Sequence, residues 1–287
     1  MGVVFLDPAP GTNEGFDVTA QYQMVPAGGV RRMGLFVQGD ETEDCIVFVS
    51  NPNHASIFGL FTIQGTAFVR GSGFLIKPNS AVRFFISGRD PGSTTLVVET
   101  VSGKPRGFLL ISVKPRLLRT YQLAVISDPI HIPDKAGVGN NLAINMLGAA
   151  RIWLAQANVV LQRVGPINDV VVPRDLKDPI VIDDPANMDA IVKATFTKDV
   201  VRADLFIYGT WDIVYSTSTR PAGSTDGNMC FVENQLNGRI GELLCAHEIG
   251  HALGLPHTED NFSLLMTSGG INNDLLDMRD IETANPQ

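Results

Sequence analysis

Residues 247 to 257, His-Glu-Ile-Gly-His-Ala-Leu-Gly-Leu-Pro-His, constrain this chain more than any other segment. On a helix, His247 and His251 are one turn apart and project from the same face. Gly254 permits the chain to leave the helix through a left-handed conformation, after which His257 can return to the same side. The segment therefore predicts a helix, a glycine turn and three convergent imidazoles.

Three convergent imidazoles have the chemistry of a catalytic zinc site. Imidazole nitrogens bind Zn²⁺ at about 2.0–2.1 Å, and three protein ligands leave one position open for water. Short matches of this kind also occur by chance, but here three of the chain's five histidines fall within eleven residues. We therefore predict one catalytic Zn²⁺ held by His247, His251 and His257. Glu248 would act as the general base and acid without binding the metal.

The same residues resemble the signature of the metzincin clan of zinc endopeptidases, H-E-x-x-H-x-x-G-x-x-H followed by a methionine turn. Met266 lies nine residues beyond His257, a spacing similar to that of the matrixins. The resemblance implies that this methionine sits in a tight turn beneath the metal and is not a ligand. It covers roughly residues 118–287 and is strong only over residues 239–268.

The subfamily is not assigned by this resemblance. Met266 is followed by Thr267 and Ser268, so the proline that matrixins carry after the turn is absent. The tyrosine that astacins and serralysins carry two positions after the methionine is absent as well.

The resemblance also implies a reaction and a substrate. Glu248 would take a proton from a water that attacks a zinc-polarised peptide carbonyl, and would pass it to the leaving amine. Metzincins bind an extended protein or peptide substrate along an antiparallel edge strand upstream of the active-site helix, a position that residues 228–234 would occupy. The pocket for the side chain after the scissile bond would follow the methionine turn. The substrate-binding residues expected from these two segments are Cys230, Phe231, Val232, Thr267, Ser268 and Gly269.

The N-terminal part has the pattern of a β-sandwich. Short apolar runs are separated by Gly, Pro, Asn and Asp, without a helical period, which favours antiparallel strands. We therefore expect residues 1–116 to form an immunoglobulin-like β-sandwich that serves as an accessory domain. The predicted strands are 45–50, 58–63, 74–77, 82–87, 95–101 and 108–113.

The pattern changes after residue 116, where strands begin to alternate with helices. We expect residues 117–287 to form an α+β, metzincin-like catalytic domain with a mixed sheet, a backing helix and the active-site helix. Apolar residues at three- and four-residue spacing predict the backing helix over 140–164. The other predicted elements are strands at 119–127, 170–172, 179–182 and 204–208, and helices at 188–194 and from 276 onwards.

Composition excludes several classes of partner. The formal net charge is −8 and no basic run stands out, so neither nucleic acid nor an anionic membrane is an expected partner. No apolar stretch reaches the roughly 18 residues that span a bilayer. Residues 1–11 lack the basic and apolar regions of a signal peptide. We nevertheless expect a secreted, monomeric protein.

The three cysteines do not form a disulfide framework. Cys230 and Cys245 could pair, or could remain two buried thiols, and the sequence leaves both alternatives open. Cys245 lies two residues before His247, about 200° round the helix, so it should face the core.

Two weaker signals concern other metal or cleft residues. Asp183, Asp184 and Asp189 hint at Ca²⁺ but match no known calcium loop, and a solvated turn is favoured. His131 follows a predicted strand and precedes Pro133. It could line the cleft, although an exposed loop histidine is the commoner outcome.

Two other functions stay open at this level. The chain could be a binding or adhesive protein with a degenerate or latent peptidase domain, although the intact His247, Glu248, His251 and His257 argue against it. It could also hydrolyse a non-protein amide. The N-terminal domain could recognise substrate, anchor the enzyme, assist folding or act as a removable pro-domain.

Overall fold

The computed structural model describes residues 2–6, 14–39, 42–64, 67–70, 73–196, 202–236, 238–258, 264–267 and 273–286. These residues are rich in β-structure, with four helices and several sheets, and the chain divides into two compact units. The first unit is Met1–Arg116, Ala155–Asn158 and Leu275–Gln287, and the second is Leu117–Leu154 and Val159–Asp274. The break after Arg116 lies where the sequence changes character. The C-terminal segment, expected within 117–287, instead clusters with the N-terminal residues.

The first unit is built from two sheets. The four-stranded sheet has the order β1-β4-β9-β6, and the seven-stranded sheet has the order β2-β3-β11-β10-β5-β8-β7. Neighbouring strands are antiparallel, except that β3 pairs with β11 in parallel. Numbered along the chain, the strands are β1 (Gly2–Leu6), β2 (Phe16–Asp17), β3 (Tyr22–Pro26), β4 (Val30–Gln38), β5 (Cys45–Val49), β6 (Ala55–Gln64), β7 (Ala67–Arg70), β8 (Gly73–Ile76), β9 (Ser80–Gly88), β10 (Gly92–Thr100) and β11 (Pro105–Lys114).

One buried apolar cluster joins the two sheets. Leu35 and Val37 of β4 belong to it together with Leu96 and Val98 of β10. Each pair is two positions apart on its strand, and residues at that spacing share a face. Two sheets that share one core are consistent with the predicted β-sandwich. The parallel β3–β11 pair departs from a purely antiparallel arrangement.

The second unit has a mixed sheet with the order β13-β12-β16-β19-β18, and β14 also pairs with β12. All pairs of this sheet are parallel except β18 with β19. A separate parallel pair joins β15 and β17. The elements are β12 (Leu117–Ser127), α1 (Lys135–Ala157), β13 (Val159–Arg163), β14 (Asn168–Val171), β15 (Ile180–Val181), α2 (Pro185–Phe196), β16 (Leu205–Thr210), β17 (Ile213–Val214), β18 (Gly223–Asp226), β19 (Met229–Glu233) and α3 (Gly238–Ala252).

Helices cover both faces of this sheet. Phe206 and Tyr208 of β16 share a buried cluster with Ile191 of α2. Gly209 faces the other way, and a Cβ built there would lie 2.7 Å from Val138 of α1. The second unit is therefore layered as an α/β domain. None of the described helices is long and apolar enough to cross a membrane.

The predicted helix over 140–164 was wrong over its last seven residues, about two turns. α1 begins earlier, at Lys135, and ends at Ala157, after which Asn158 adopts a φ of +55° and β13 begins. Asparagine tolerates this left-handed conformation better than most residues, and the β-branched Val159 and Val160 favour a strand. The three- and four-residue spacing continued past the true helix end by coincidence.

The last helix, α4 (Met278–Ala284), belongs to the first unit. Its Glu282 pairs with the fully buried Lys114 at the end of β11 and also accepts a hydrogen bond of 2.9 Å from the hydroxyl of Tyr22. Asn285 donates from Nδ2 to the carbonyl oxygens of Pro115 and Ala157. Long-range polar contacts therefore tie the C-terminal helix to the sandwich.

Candidate metal centre and adjoining cleft

The three histidines predicted as metal ligands converge on one point. The Nε2 atom of His251 lies 3.1 Å from Nε2 of His247 and 3.1 Å from Nε2 of His257, and the remaining Nε2–Nε2 distance is 3.3 Å. His247 is buried, His251 is half-buried and His257 is exposed. The cluster is therefore open to solvent on one side.

Backbone carbonyls fix the orientation of two of these rings. Nδ1 of His247 lies 2.8 Å from the carbonyl oxygen of Leu265, and Nδ1 of His251 lies 2.8 Å from that of Leu255. A carbonyl oxygen can only accept, so Nδ1 carries the hydrogen in both rings and Nε2 presents its lone pair to the cluster. Such second contacts are the usual means of orienting metal-binding histidines.

The turn that returns His257 to the cluster has a defined cap. The N–H of Leu255 donates to the carbonyl of Gly250 at 3.0 Å, and the N–H of Gly254 donates to that of His251 at 2.9 Å. These two bonds form a Schellman motif, in which the residue after the helix adopts a left-handed conformation. Gly254 has a φ of +92°, so glycine is suited to this position.

This donor set fits a zinc ion. Nitrogens bound tetrahedrally at about 2.0–2.1 Å stand roughly 3.3–3.4 Å apart, close to the distances between these Nε2 atoms. Ligand imidazoles must be neutral. Burial lowers the pKa of His247 to about 4 and also lowers the pKa of His251, which keeps both rings neutral near pH 7.

The segment that contains Met266 lies under the metal-binding part of α3. A Cβ built on Gly250 would stand 2.4 Å from Sδ of Met266, which is fully buried. The carbonyl of Met266 accepts a hydrogen bond of 2.7 Å from the N–H of Thr258. The neighbouring Leu265 supplies the carbonyl that orients His247.

Glu248 is buried at the side of the same cluster. Its Oε2 accepts a hydrogen bond of 2.6 Å from Oγ1 of Thr225, on β18. Burial raises the pKa of Glu248 to about 7, and the hydrogen bond from Thr225 opposes that rise. A buried carboxylate of this kind beside three imidazoles is a common feature of catalytic sites.

A cavity of about 740 Å³ opens beside the histidine cluster and is contained in the second unit. Within the part of the chain that the structure describes, Glu248 is the single carboxylate that lines it and Arg220 is the single Lys or Arg. The wall formed by Leu236, Ile240 and Leu244 is apolar. The described lining residues are Tyr215, Thr219, Arg220, Pro221, Ala222, Gly223, Ser224, Thr225, Gly227, Leu236, Ile240, Leu244, His247, Glu248, His251, His257 and Thr267.

The strand that was expected at the edge of the sheet is β19, which is the second strand from that edge. Cys230, Phe231 and Val232 belong to β19, which pairs with β16 on one side and with β18 on the other, and all three are buried. Their placement on an antiparallel edge strand was therefore wrong. The antiparallel edge strand is β18, whose sequence Gly-Ser-Thr-Asp lacks the apolar alternation that identifies a strand.

The segment after the methionine turn is described only in part. Thr267 is buried and lines the cavity. Ser268 and Gly269, predicted to line the same pocket, lie outside the described residues. Most of the remaining lining residues, including Tyr215 and Arg220, come from segments that carried no functional signal at the sequence level.

All three cysteines are buried free thiols. Pairing of Cys230 with Cys245, one of the two alternatives, is therefore not found. Burial raises the pKa of the Cys245 thiol to about 12 and raises that of Cys230 further. Cys245 faces the core, as its position on the helix predicted.

Two of the aspartates that hinted at Ca²⁺ contact neighbouring side chains, and so does His131. Asp183 accepts from the N–H and hydroxyl of Ser216, and Asp189 pairs with Lys193. His131 stacks on Trp211 with ring centroids 4.8 Å apart.

A further group, Asp128, His131 and Asp175, has ligand atoms within 4.8 Å of one another. The Asp128 carboxylate already accepts from three backbone N–H groups, those of Ile130, His131 and Leu176. Despite burial, these hydrogen bonds lower its pKa.

No protein-family model matches the sequence, and no curated protein sequence matches it. Solved structures that resemble it include metalloproteinase-II from Bacteroides fragilis, which is 11% identical and has a TM-score of 0.38, with 91% of this chain and 83% of that chain covered. Domains 4 and 5 of the S-layer protein SbsC are 16% identical with a TM-score of 0.22, and the match covers 31% of this chain and less than half, 45%, of that one. SSP-19, an MSP-domain protein of Caenorhabditis elegans, is 18% identical with a TM-score of 0.22, covering 32% and 94%. At these TM-scores each likeness is distant, and similarity assigns no family.

Proposed function

We propose that this chain is a zinc-dependent endopeptidase that hydrolyses peptide bonds in proteins. The observation that carries the proposal is the convergence of the Nε2 atoms of His247, His251 and His257, with Glu248 lining the same cavity. The donor set supports zinc as the metal, since three imidazoles with an open side are typical of catalytic zinc.

The residues present divide the chemistry between them. When bound, a zinc ion would supply a Lewis acid that polarises a carbonyl and makes a water molecule acidic near neutral pH. Among the described residues of the cavity wall Glu248 is the one carboxylate, so it is the group that would take the proton from the attacking water. The same carboxylate would return that proton to the leaving amine.

An extended peptide is the substrate class that the cleft supports. β18 is an edge strand, and its residues Gly223, Ser224 and Thr225 line the cavity. An edge strand presents free backbone groups to which an extended chain can add by β-augmentation. We therefore reassign the substrate-binding strand from β19 to β18.

Membership of the metzincin clan is the finer part of the proposal. It is supported by the spacing of the motif, by the mixed sheet with one antiparallel edge strand, and by the packing of Met266 under Gly250. On this proposal the second unit is the catalytic domain.

The test is zinc content measured alongside cleavage of casein, an unstructured protein. We expect one zinc per chain, and cleavage that is lost on chelation and restored by zinc. Glu248→Ala should keep the zinc and reduce turnover by at least about 10²- to 10⁴-fold, because it removes the general base. Glu242→Ala is the matched control, since Glu242 lies on the same helix outside the cavity lining. Near-normal cleavage by Glu248→Ala would rule out its role, and a chain that binds no zinc would rule out the metal site.

A further inference from the structure

The carboxylate of Glu248 is held from two positions on one strand. Thr225 donates from Oγ1 to Oε2 at 2.6 Å. On the other side, a Cβ built on Gly223 would lie 2.5 Å from Oε1 and 2.9 Å from the carboxyl carbon. The carboxylate therefore packs against the Gly223 backbone while it accepts a hydrogen from Thr225.

The strand geometry explains why these two residues act together. Residues two apart on a strand project from the same face, so Gly223 and Thr225 of β18 both face Glu248. Ser224, between them, faces away, and its hydroxyl lies 3.0 Å from that of Tyr215. A residue with a side chain at 223 would occupy the space that the carboxylate fills.

The Thr225 hydroxyl has a choice of acceptors, and distance decides between them. Oγ1 lies 2.6 Å from the carboxylate oxygen and 3.0 Å from the backbone oxygen of Glu248. A hydroxyl donates a single hydrogen, and hydrogen bonds to an ionised carboxylate are the shorter and stronger kind. The hydrogen therefore goes to Oε2 and fixes the rotation of the carboxylate.

We propose that Gly223 and Thr225 of the edge strand β18 are positioning residues that hold the Glu248 carboxylate in its catalytic orientation. This inference rests on the proposed function. It assigns the edge strand a second role, because the strand proposed to bind substrate also orients the base. Both residues would act through the Glu248 carboxylate.

The test compares Thr225→Val, which keeps the shape of the side chain but removes the donor, with Thr225→Ser, which keeps the donor. With casein as substrate and zinc bound, Thr225→Val should lower kcat about ten- to a hundredfold, the loss expected for a hydrogen bond to a charged group. KM should stay within about twofold, and Thr225→Ser should recover most of the rate. Thr195→Val is the matched control, because it removes a buried threonine hydroxyl on α2 that is not among the cavity-lining residues. A kcat for Thr225→Val within about twofold of the wild-type value, with one zinc bound, would overturn the proposal.

A second variant and a structural readout keep the test decisive. Gly223→Ala should displace the carboxylate and lower kcat while zinc stays bound, and unchanged kcat in this variant would also contradict the proposal. Crystal structures of the zinc-loaded wild type and Thr225→Val should show the Glu248 carboxylate rotated or shifted in the variant. If the wild type binds zinc but cleaves nothing, the endopeptidase proposal fails. The positions of the carboxylate in the two crystal structures still decide whether Thr225 holds it.

Discussion

The sulfur of Met266 lies directly against the backbone of Gly250, inside the segment that carries the predicted metal ligands. A Cβ at residue 250 would stand 2.4 Å from Sδ, 2.9 Å from Cε and 3.4 Å from the ring of Trp153. Met266 and Trp153 are both fully buried, so neither can move aside into solvent. Close packing against Met266 and Trp153 therefore explains why residue 250, between His247 and His251, is a glycine.

We expect Gly250→Ala to destabilise the protein and to weaken zinc binding. Alanine in place of an exposed helical glycine gains up to about 1 kcal/mol, but overpacking a filled core costs about 1–3 kcal/mol, so the clash should prevail. Movement of Met266 would also shift the adjacent carbonyl of Leu265, which orients His247. Guanidinium unfolding and competition with a zinc chelator measure the two effects.

The double variant Gly250→Ala with Met266→Ala serves as the control. Because the two residues are in contact, the combined loss of unfolding free energy should be smaller than the sum of the separate losses. A single Gly250→Ala variant that is more stable than the wild type would show that the contact is unimportant.

Gly254→Ala should weaken zinc binding through the helix cap. An alanine held at a φ of +92° costs about 1–3 kcal/mol, and any relaxation would move the Leu255 carbonyl that bonds to His251. Gly238→Ala is the matched control, since Gly238 also has a positive φ (+64°) and open space around it, but lies at the opposite end of α3. Zinc affinities from chelator competition should fall for Gly254→Ala only; equal affinities in both variants would contradict this role of the cap.

The metal centre could be predicted from the sequence because its parts are local. His247, Glu248 and His251 are placed by the period of one helix, and Gly254 with His257 by one turn. The edge strand was missed for the converse reason. Its Gly-Ser-Thr-Asp residues resemble a turn, and they form a strand only because β19 pairs with them.

The C-terminal segment shows the same limit. Nothing in the local sequence of α4 indicates that Glu282 meets Lys114, which is 168 residues away. A contact of that separation depends on the complete fold. The resemblance extended to the C-terminal end of the chain, and so led to a domain boundary that kept α4 with the second unit.

Glu282→Ala should strongly destabilise the first unit, because it leaves the ammonium of Lys114 buried without a partner. Breaking a buried ion pair costs about 3–5 kcal/mol. The side chain of Glu282 is 38% exposed and solvent weakens the interaction, so we expect a smaller loss of about 2–3 kcal/mol. Denaturant unfolding of Glu282→Ala and of the double variant Lys114→Met with Glu282→Ala tests the cause. If the double variant is no more stable than the single one, the loss comes from packing rather than from the unpaired charge.

Asp280, in the first turn of α4, should make the protein less stable as pH rises from about 4 to 7. Burial raises its pKa from 3.8 to about 7, with a further rise from the charge of Asp277, and its Oδ2 has no hydrogen-bond partner among the described residues. The folded chain therefore keeps a proton that the unfolded chain loses above pH 3.8. The stabilisation from this retained proton is complete below pH 3.8 and is lost as pH rises through 7, at up to about 1.4 kcal/mol per pH unit.

The helix dipole stabilises a charged carboxylate at Asp280 by only about 0.3–1 kcal/mol, so it cannot offset this loss of stability. Asp280→Asn should therefore match the wild type near pH 4 and be more stable by a few kcal/mol at pH 8. Urea unfolding at both pH values measures the difference, and a gap that does not change with pH would show that Asp280 does not titrate in this range.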